Sequence, residues 1–197
     1  MRIGLMGGTF DPIHHGHLFI AEEARVHCNL EKVIFFPNNK PAHREGKTAN
    51  ADPETRFELT RLAIDGNPQF EISRIEIDRP GPSYAIDTLD EFGKQMPDAE
   101  LFYIVGADSI GEILTWYQAE KLFEKCRFIA LSRPDFDLEA AKTPLNEAQC
   151  ARVIWLETVA LDIASRDLRK RVQEGLPIRY LVPDAVEVEV RQRGLYL

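Results

Sequence analysis

The stretch GGTFDPIHHGH, residues 7–17, gathers two adjacent glycines and three histidines between a strand-like run and a helix-like run. Paired glycines let a backbone take unusual φ values and approach a ligand closely. A helix start adds unpaired N–H donors and the positive end of the helix dipole. Gly7 and Gly8 therefore suit the seat of an anion. His14 and His17, spaced His-x-Gly-His, offer ring N–H donors to a phosphate whether charged or neutral, and Gly16 leaves room for it. His15 reads as exposed and incidental. The stretch contains neither GxxxxGK followed by Ser or Thr, nor GxGxxG with an acidic residue at the next strand end. Both absences argue against a P-loop NTPase and a dinucleotide dehydrogenase. No cysteine or third ligand stands at zinc spacing beside the histidines, so no metal site is expected.

Short β-rich runs at 3–6, 32–36, 70–72, 101–105, 127–131 and 153–156 alternate with helical spacing at 18–28, 53–64 and 84–95. That alternation predicts an α/β fold, a doubly wound parallel sheet with helices on both faces. Asp52 before Pro53 reads as a helix cap followed by proline at the first helical position. A C-terminal helical segment follows, at 165–174 and 183–193, with Gly175 and Gly194 placed to end its two helices. Ligands of such sheets bind at the carboxyl ends of the strands, which is where residues 7–17 fall.

At 197 residues, without repeats or a long linker, the chain reads as one domain spanning 1–197. A formal charge of -8 gives no basic field for a nucleic-acid backbone. No unbroken apolar span has membrane length, and the opening MRIGLMGG reaches glycine too early for a signal peptide. Cys28, Cys126 and Cys150 are odd in number and lack metal-type spacing. A reducing cytoplasm is the expected compartment. Assembly into a homo-oligomer stays open.

GGTFDPIHHGH resembles the signature of the nucleotidyltransferase superfamily with an HxGH motif, and its GGTFDP opening is similar to the nicotinate-nucleotide adenylyltransferases. The likeness continues through PNNKPAHR at 37–44, GPSYAIDTL at 81–89, IVGADS at 104–109, WY at 116–117, SRP at 132–134, IASRDLR at 163–169 and YLVPDAV near the end. The resemblance implies transfer of AMP from ATP to the phosphate of nicotinate mononucleotide, yielding nicotinate adenine dinucleotide and pyrophosphate in NAD synthesis. The substrates are then two small molecules, and Mg²⁺ arrives with ATP rather than in a protein cage. The attacking phosphate is already ionised, so alignment and charge neutralisation suffice without a general base.

Carried over residue by residue, the resemblance makes His14, His17 and Arg169 the catalytic set. Gly7, Gly8, Thr9, Phe10, Gly106, Asp108, Ser165 and Arg166 would seat ATP, with Asp108 in a loop after the fourth strand accepting nucleotide hydroxyls and Ser165 standing just before a helix. Lys40 and Arg44, in a cationic loop with His43, would neutralise substrate phosphates, with Arg133 as a further candidate. Tyr84, Ala85, Thr88, Trp116 and Tyr117 would box the pyridine ring, Trp116 by stacking and the backbone near 84–86 by holding its carboxylate. Two places depart from the family. Ala85 stands where a threonine is common, which leaves only main-chain donors there. IASRDLR replaces ISSTxIR, keeping Ser165 and Arg169 while Ala164 and Arg166 take the places of Ser and Thr. Adenylyl transfer to nicotinamide mononucleotide or phosphopantetheine, and a nucleotide sensor without turnover, are the alternatives.

Overall fold

The computed structural model describes residues 1–41, 49–133, 136–159 and 161–197. In chain order its elements are β1 (Arg2–Gly8), α1 (His15–His27), β2 (Lys32–Pro37), β3 (Lys40–Pro41), α2 (Pro53–Ile64), β4 (Phe70–Ile72), β5 (Pro82–Ser83), α3 (Ala85–Gln95), β6 (Glu100–Gly106), α4 (Ala107–Gly111), α5 (Ala119–Lys125), β7 (Arg127–Ser132), α6 (Leu138–Lys142), α7 (Glu147–Cys150), β8 (Val153–Glu157), α8 (Ser165–Gln173) and α9 (Asp184–Gln192). Six strands form one sheet in the order β4-β2-β1-β6-β7-β8, and every pairing is parallel. The order grows outward in both directions from the β1/β6 junction. In such a sheet the crevice at that junction is the place for a ligand.

Side chains alternate along the strands to build two cores. Ile3, Leu5, Ile34, Phe36, Leu101, Tyr103, Phe128 and Ala130 face α3, α4 and α5. Met6, Val33, Phe35, Phe102, Ile104, Ile129 and Leu131 face α1, α2, α8 and α9. Both faces are covered, which is why the strands read as nearly continuous apolar runs. The Asp52 cap is present, accepting from the Thr55 backbone N–H at 2.9 Å. Gly175 and Gly194 take left-handed φ values of 70° and 60° just past α8 and α9, a conformation that costs glycine nothing.

Differences from the sequence reading cluster in short pieces. β3 and β5 are two-residue strands paired with each other, Lys40 opposite Pro82, so Lys40 sits in a strand rather than a loop. α1 begins at His15 instead of residue 18. α4 follows β6 directly and places Asp108 in its first turn instead of in a loop. α4, α6 and α7 have five, five and four residues, too few turns to write a hydrophobic period into the sequence. Among the described residues no helix is long and apolar enough to cross a membrane.

Candidate active site

The end of β1 shows why it needs two glycines. A Cβ on Gly7 would run into the Phe36 ring, and one on Gly8 would stand 2.8 Å from the Phe10 ring. Phe10 itself adopts φ 47°, a left-handed conformation that a non-glycine residue holds only under surrounding constraint. Its buried ring meets the His17 imidazole edge-on, with centroids 5.0 Å apart. Backbone and ring together therefore fix the direction of His17.

The two histidines form the cap of α1. His14 is the N-cap residue, and its backbone N–H donates to His17 Nδ1 at 3.2 Å. Because Nδ1 accepts, the ring proton of a neutral His17 resides on Nε2, which becomes a donor. Burial pushes the His17 pKa well below its ordinary value, with His14 adding in the same direction. Burial also lowers His14 to about 4, with His15 contributing. The rings stack with centroids 3.7 Å apart. Both are neutral at pH 7, and His14 Nδ1 is buried without a hydrogen-bond partner among the described residues. Gly16 matters sterically, since a Cβ there would lie 3.0 Å from His14 Nδ1.

The far end of the chain closes this site. Ala164 is the N-cap of α8 and Ser165 its first helical residue, so Ser165 opens the helix rather than standing just before it. The Ser165 hydroxyl donates to the Pro12 carbonyl at 2.9 Å. Arg169 Nη1 donates to the Asp11 carbonyl at 2.6 Å and lies 3.7 Å from Asp11 Oδ2. Arg166 projects into solvent and pairs with Asp167 at 3.3 Å. These groups and the histidines line a cavity of about 920 Å³ that also reaches Thr9, Phe10, Asn50 and Asp108. An adjoining cavity of about 330 Å³ shares Gly16, Asp108 and Ile163 and extends to Gly106, Leu131 and Arg133. Arg133 is thus placed away from the histidines, and its guanidinium pairs with Asp162 at 3.1 Å.

The aromatic set lies on the opposite face of the sheet. Tyr84 and Tyr117 rings meet at 4.7 Å, and Trp116 meets Tyr103 at 6.2 Å. This set reaches the same strand end, because a Cβ on Gly7 would be 3.0 Å from the Tyr103 hydroxyl. Tyr84 caps α3, and Ala85 opens it. Thr88, expected beside the pyridine ring, lies in the wall beneath the aromatic set. It is fully buried, donates to Glu76 Oε1 at 2.7 Å and accepts from Arg79 at 3.0 Å. Its hydroxyl is spent beneath the wall. Lys40 is exposed in β3 and lines neither cavity above. Arg44 and His43 lie outside the described residues.

Sequence reasoning passed over Asp11. Its buried carboxylate accepts from the Asn50 and Ala51 backbone N–H groups at 2.7 and 3.2 Å while its carbonyl holds Arg169. A lone Asp before Pro carries no spacing signal. The only available hint was its place inside the histidine stretch.

Known proteins resemble the chain over nearly its whole length. Residues 5–171 match the cytidylyltransferase-like family. The chain is 48% identical over 199 residues to the "Probable nicotinate-nucleotide adenylyltransferase" of Moorella thermoacetica, covering 99% of this chain and 91% of that relative. The chain belongs to the nicotinate-nucleotide adenylyltransferase family. Within that family it is also 44% identical to the Thermus thermophilus protein of the same description, over the full length of both. In fold it matches the solved structure of Plasmodium falciparum nicotinic acid mononucleotide adenylyltransferase complexed with NaAD. That match has TM-score 0.79 and 18% identity, and covers 99% and 97% of the two chains.

Proposed function

We propose that the protein transfers the adenylyl group of ATP to the phosphate of nicotinate mononucleotide, releasing pyrophosphate. An oxygen of the acceptor phosphate forms a bond to the α-phosphorus of ATP as the bond from that phosphorus to the bridging oxygen breaks. The pyrophosphate leaves with the electron pair. No proton must be removed from the nucleophile, so the site has to align two anions and quench charge. The observation that carries this reading is the neutral His17, its proton assigned to Nε2 by the His14 backbone and its ring held by Phe10. A neutral donor of fixed direction stabilises charge developing on the α-phosphate without already holding it in the ground state. His14 stands beside it.

Arg169 supplies the permanent positive charge, and the first-turn amides of α8 at Ser165 and Arg166 add donors for ATP phosphates. Gly7, Gly8, Thr9 and Phe10 shape the seat. Asp108 and Gly106, bordering the adjoining cavity, suit the nucleoside. Mg²⁺ enters as part of the ATP substrate, holding phosphate oxygens and water. On the other face, Trp116, Tyr84 and Tyr117 suit a flat pyridine ring. The opening amides of α3 at Ala85 suit its carboxylate. The description of the Plasmodium structure, which carries NaAD, the product of this reaction, supports the acceptor. The three free cysteines fit a cytoplasmic setting.

The experiment is pyrophosphate release by the purified protein with Mg²⁺-ATP and, side by side, nicotinate mononucleotide, nicotinamide mononucleotide and phosphopantetheine. Preference for the nicotinate acceptor is expected. Preference for another keeps the chemistry and overturns the ring pocket, and no release with any acceptor from folded, ATP-binding protein turns the reading toward a sensor.

A further inference from the structure

Arg56, on α2, is the largest of the fully buried side chains among the described residues. A guanidinium has five N–H donors in a planar fork, and the protein takes up all of them. Nε donates to the Ala51 carbonyl at 3.1 Å. Nη1 donates to the Thr9 carbonyl at 2.7 Å and to Asn38 Oδ1 at 3.3 Å. Nη2 donates to the carbonyls of Asn38 and Asn39 at 2.7 and 3.3 Å. Every acceptor is a carbonyl or amide oxygen rather than a carboxylate. A buried cation without a directly bonded counterion is expensive, and apolar filling would serve stability as well. Its value lies in what it aligns.

Three passages of chain meet on this one group. Thr9 belongs to the turn that leads to His14 and His17. Asn38–Asn39 and Asn50–Ala51 flank the stretch of sequence that contains Lys40 and Arg44. Asn38 reinforces the junction, its backbone N–H donating to the Gly8 carbonyl at 2.9 Å and its Nδ2 to Thr9 Oγ1 at 3.2 Å. Asp11 holds Asn50 and Ala51 from the other side. Next to Thr9 is Phe10, whose ring abuts His17.

We propose that Arg56 is a positioning residue for the transfer reaction. Its guanidinium sets the Thr9–Phe10 turn, and through Phe10 the His17 donor, in register with the segments entering and leaving residues 40–49. This inference rests on the adenylyl-transfer reading above. Arg56 touches no reacting atom, so its removal acts on turnover more than on substrate affinity. A displacement of about 1 Å at the donor is enough to cost about 100-fold in rate.

The test compares Arg56→Lys, Arg56→Ala and Asn38→Ala with the parent in pyrophosphate release, each with its folded fraction measured by circular dichroism at the assay temperature. Lysine offers a single ammonium that cannot reproduce the fork. Arg56→Lys is expected to lose about 100-fold in kcat while either KM moves by less than about threefold. Millimolar guanidinium is expected to restore about tenfold of the lost kcat to Arg56→Ala, and ammonium none of it. Asn38→Ala, which removes two contacts and keeps the guanidinium, is expected to lose about fivefold. It carries the test if Arg56→Ala does not fold. Arg61→Lys, an exposed site on the same helix paired with Glu58, serves as the unchanged control. Folded Arg56→Lys and Asn38→Ala with parental kcat would overturn the proposal, as would losses that merely follow the folded fraction. A parent inactive with every acceptor fails the reaction itself, a result distinct from an active parent with indifferent variants.

Discussion

The two faces of the sheet meet at the Gly7 strand end with different degrees of constraint. On the phosphate side nearly every functional group is tied to main chain before a substrate arrives. His17 is held by the His14 N–H, Ser165 by the Pro12 carbonyl and Arg169 by the Asp11 carbonyl. On the ring side the aromatic groups pack on one another, and Tyr117 is 52% exposed. The polar atoms beneath them, on Thr88, Glu76 and Arg79, are taken up by one another and by Glu91 and the Tyr84 carbonyl. Charge development is directional and demands fixed donors, whereas a flat ring needs area and shape. On the proposed reading, rate belongs to one face and acceptor choice to the other.

That division is broken most directly at His17. His17→Ala is expected to lower kcat by about 10²–10³-fold, with the melting temperature staying within about 5 °C of the parent. Steady-state kinetics beside thermal melting check it, and a parental kcat would dissolve the contrast. Arg169→Lys keeps the charge but loses the fork, and a drop of about 10–100-fold in kcat/KM for ATP is expected.

Acid sharpens the comparison because the buried neutral imidazoles belong to one face only. An unfolded chain protonates His14 near its ordinary 6.5, and the folded protein only near 4. Between those values the unfolded state binds the extra proton. His14's contribution is therefore whole above pH 6.5 and is lost as pH falls toward 4. Urea unfolding at about pH 7 and about pH 5 should differ by about 2 kcal/mol from this residue, and His14→Gln should reduce the difference. The smallest effect is expected on the ring side. Trp116→Ala should raise the acceptor KM about tenfold and leave the ATP KM unchanged. An equal rise for ATP would mean that the two faces do not divide the work.

Legibility in the sequence followed the same physics. The six strands were readable because runs such as KVIFF and RFIAL are buried on both sides and carry one continuous apolar signal. His14 and His17 were readable because they stand with paired glycines in one short stretch between a strand-like and a helix-like run. For Thr88, a hydroxyl inside a family motif gives no sign of whether it faces a ligand or, as here, a buried Glu76. Asp11 and Arg56 left no mark. Asp11 joins to residues 39 and 158 positions away, and Arg56 to one 47 positions before it, distances that no local period can encode.

The contacts of Ser165 and Arg169 with Pro12 and Asp11 span more than 150 residues, which has a consequence during protein synthesis. The ribosome has made all six strands of the sheet once Glu157 is added. A nascent chain at that point lacks Ser165 and Arg169. It also lacks Leu168, Ile178, Val182, Val186 and Val190, which cover one side of the sheet. The proposed phosphate grip and the concealment of that greasy surface therefore arrive together, and a translation product stopped short of α8 would leave apolar side chains of the sheet uncovered.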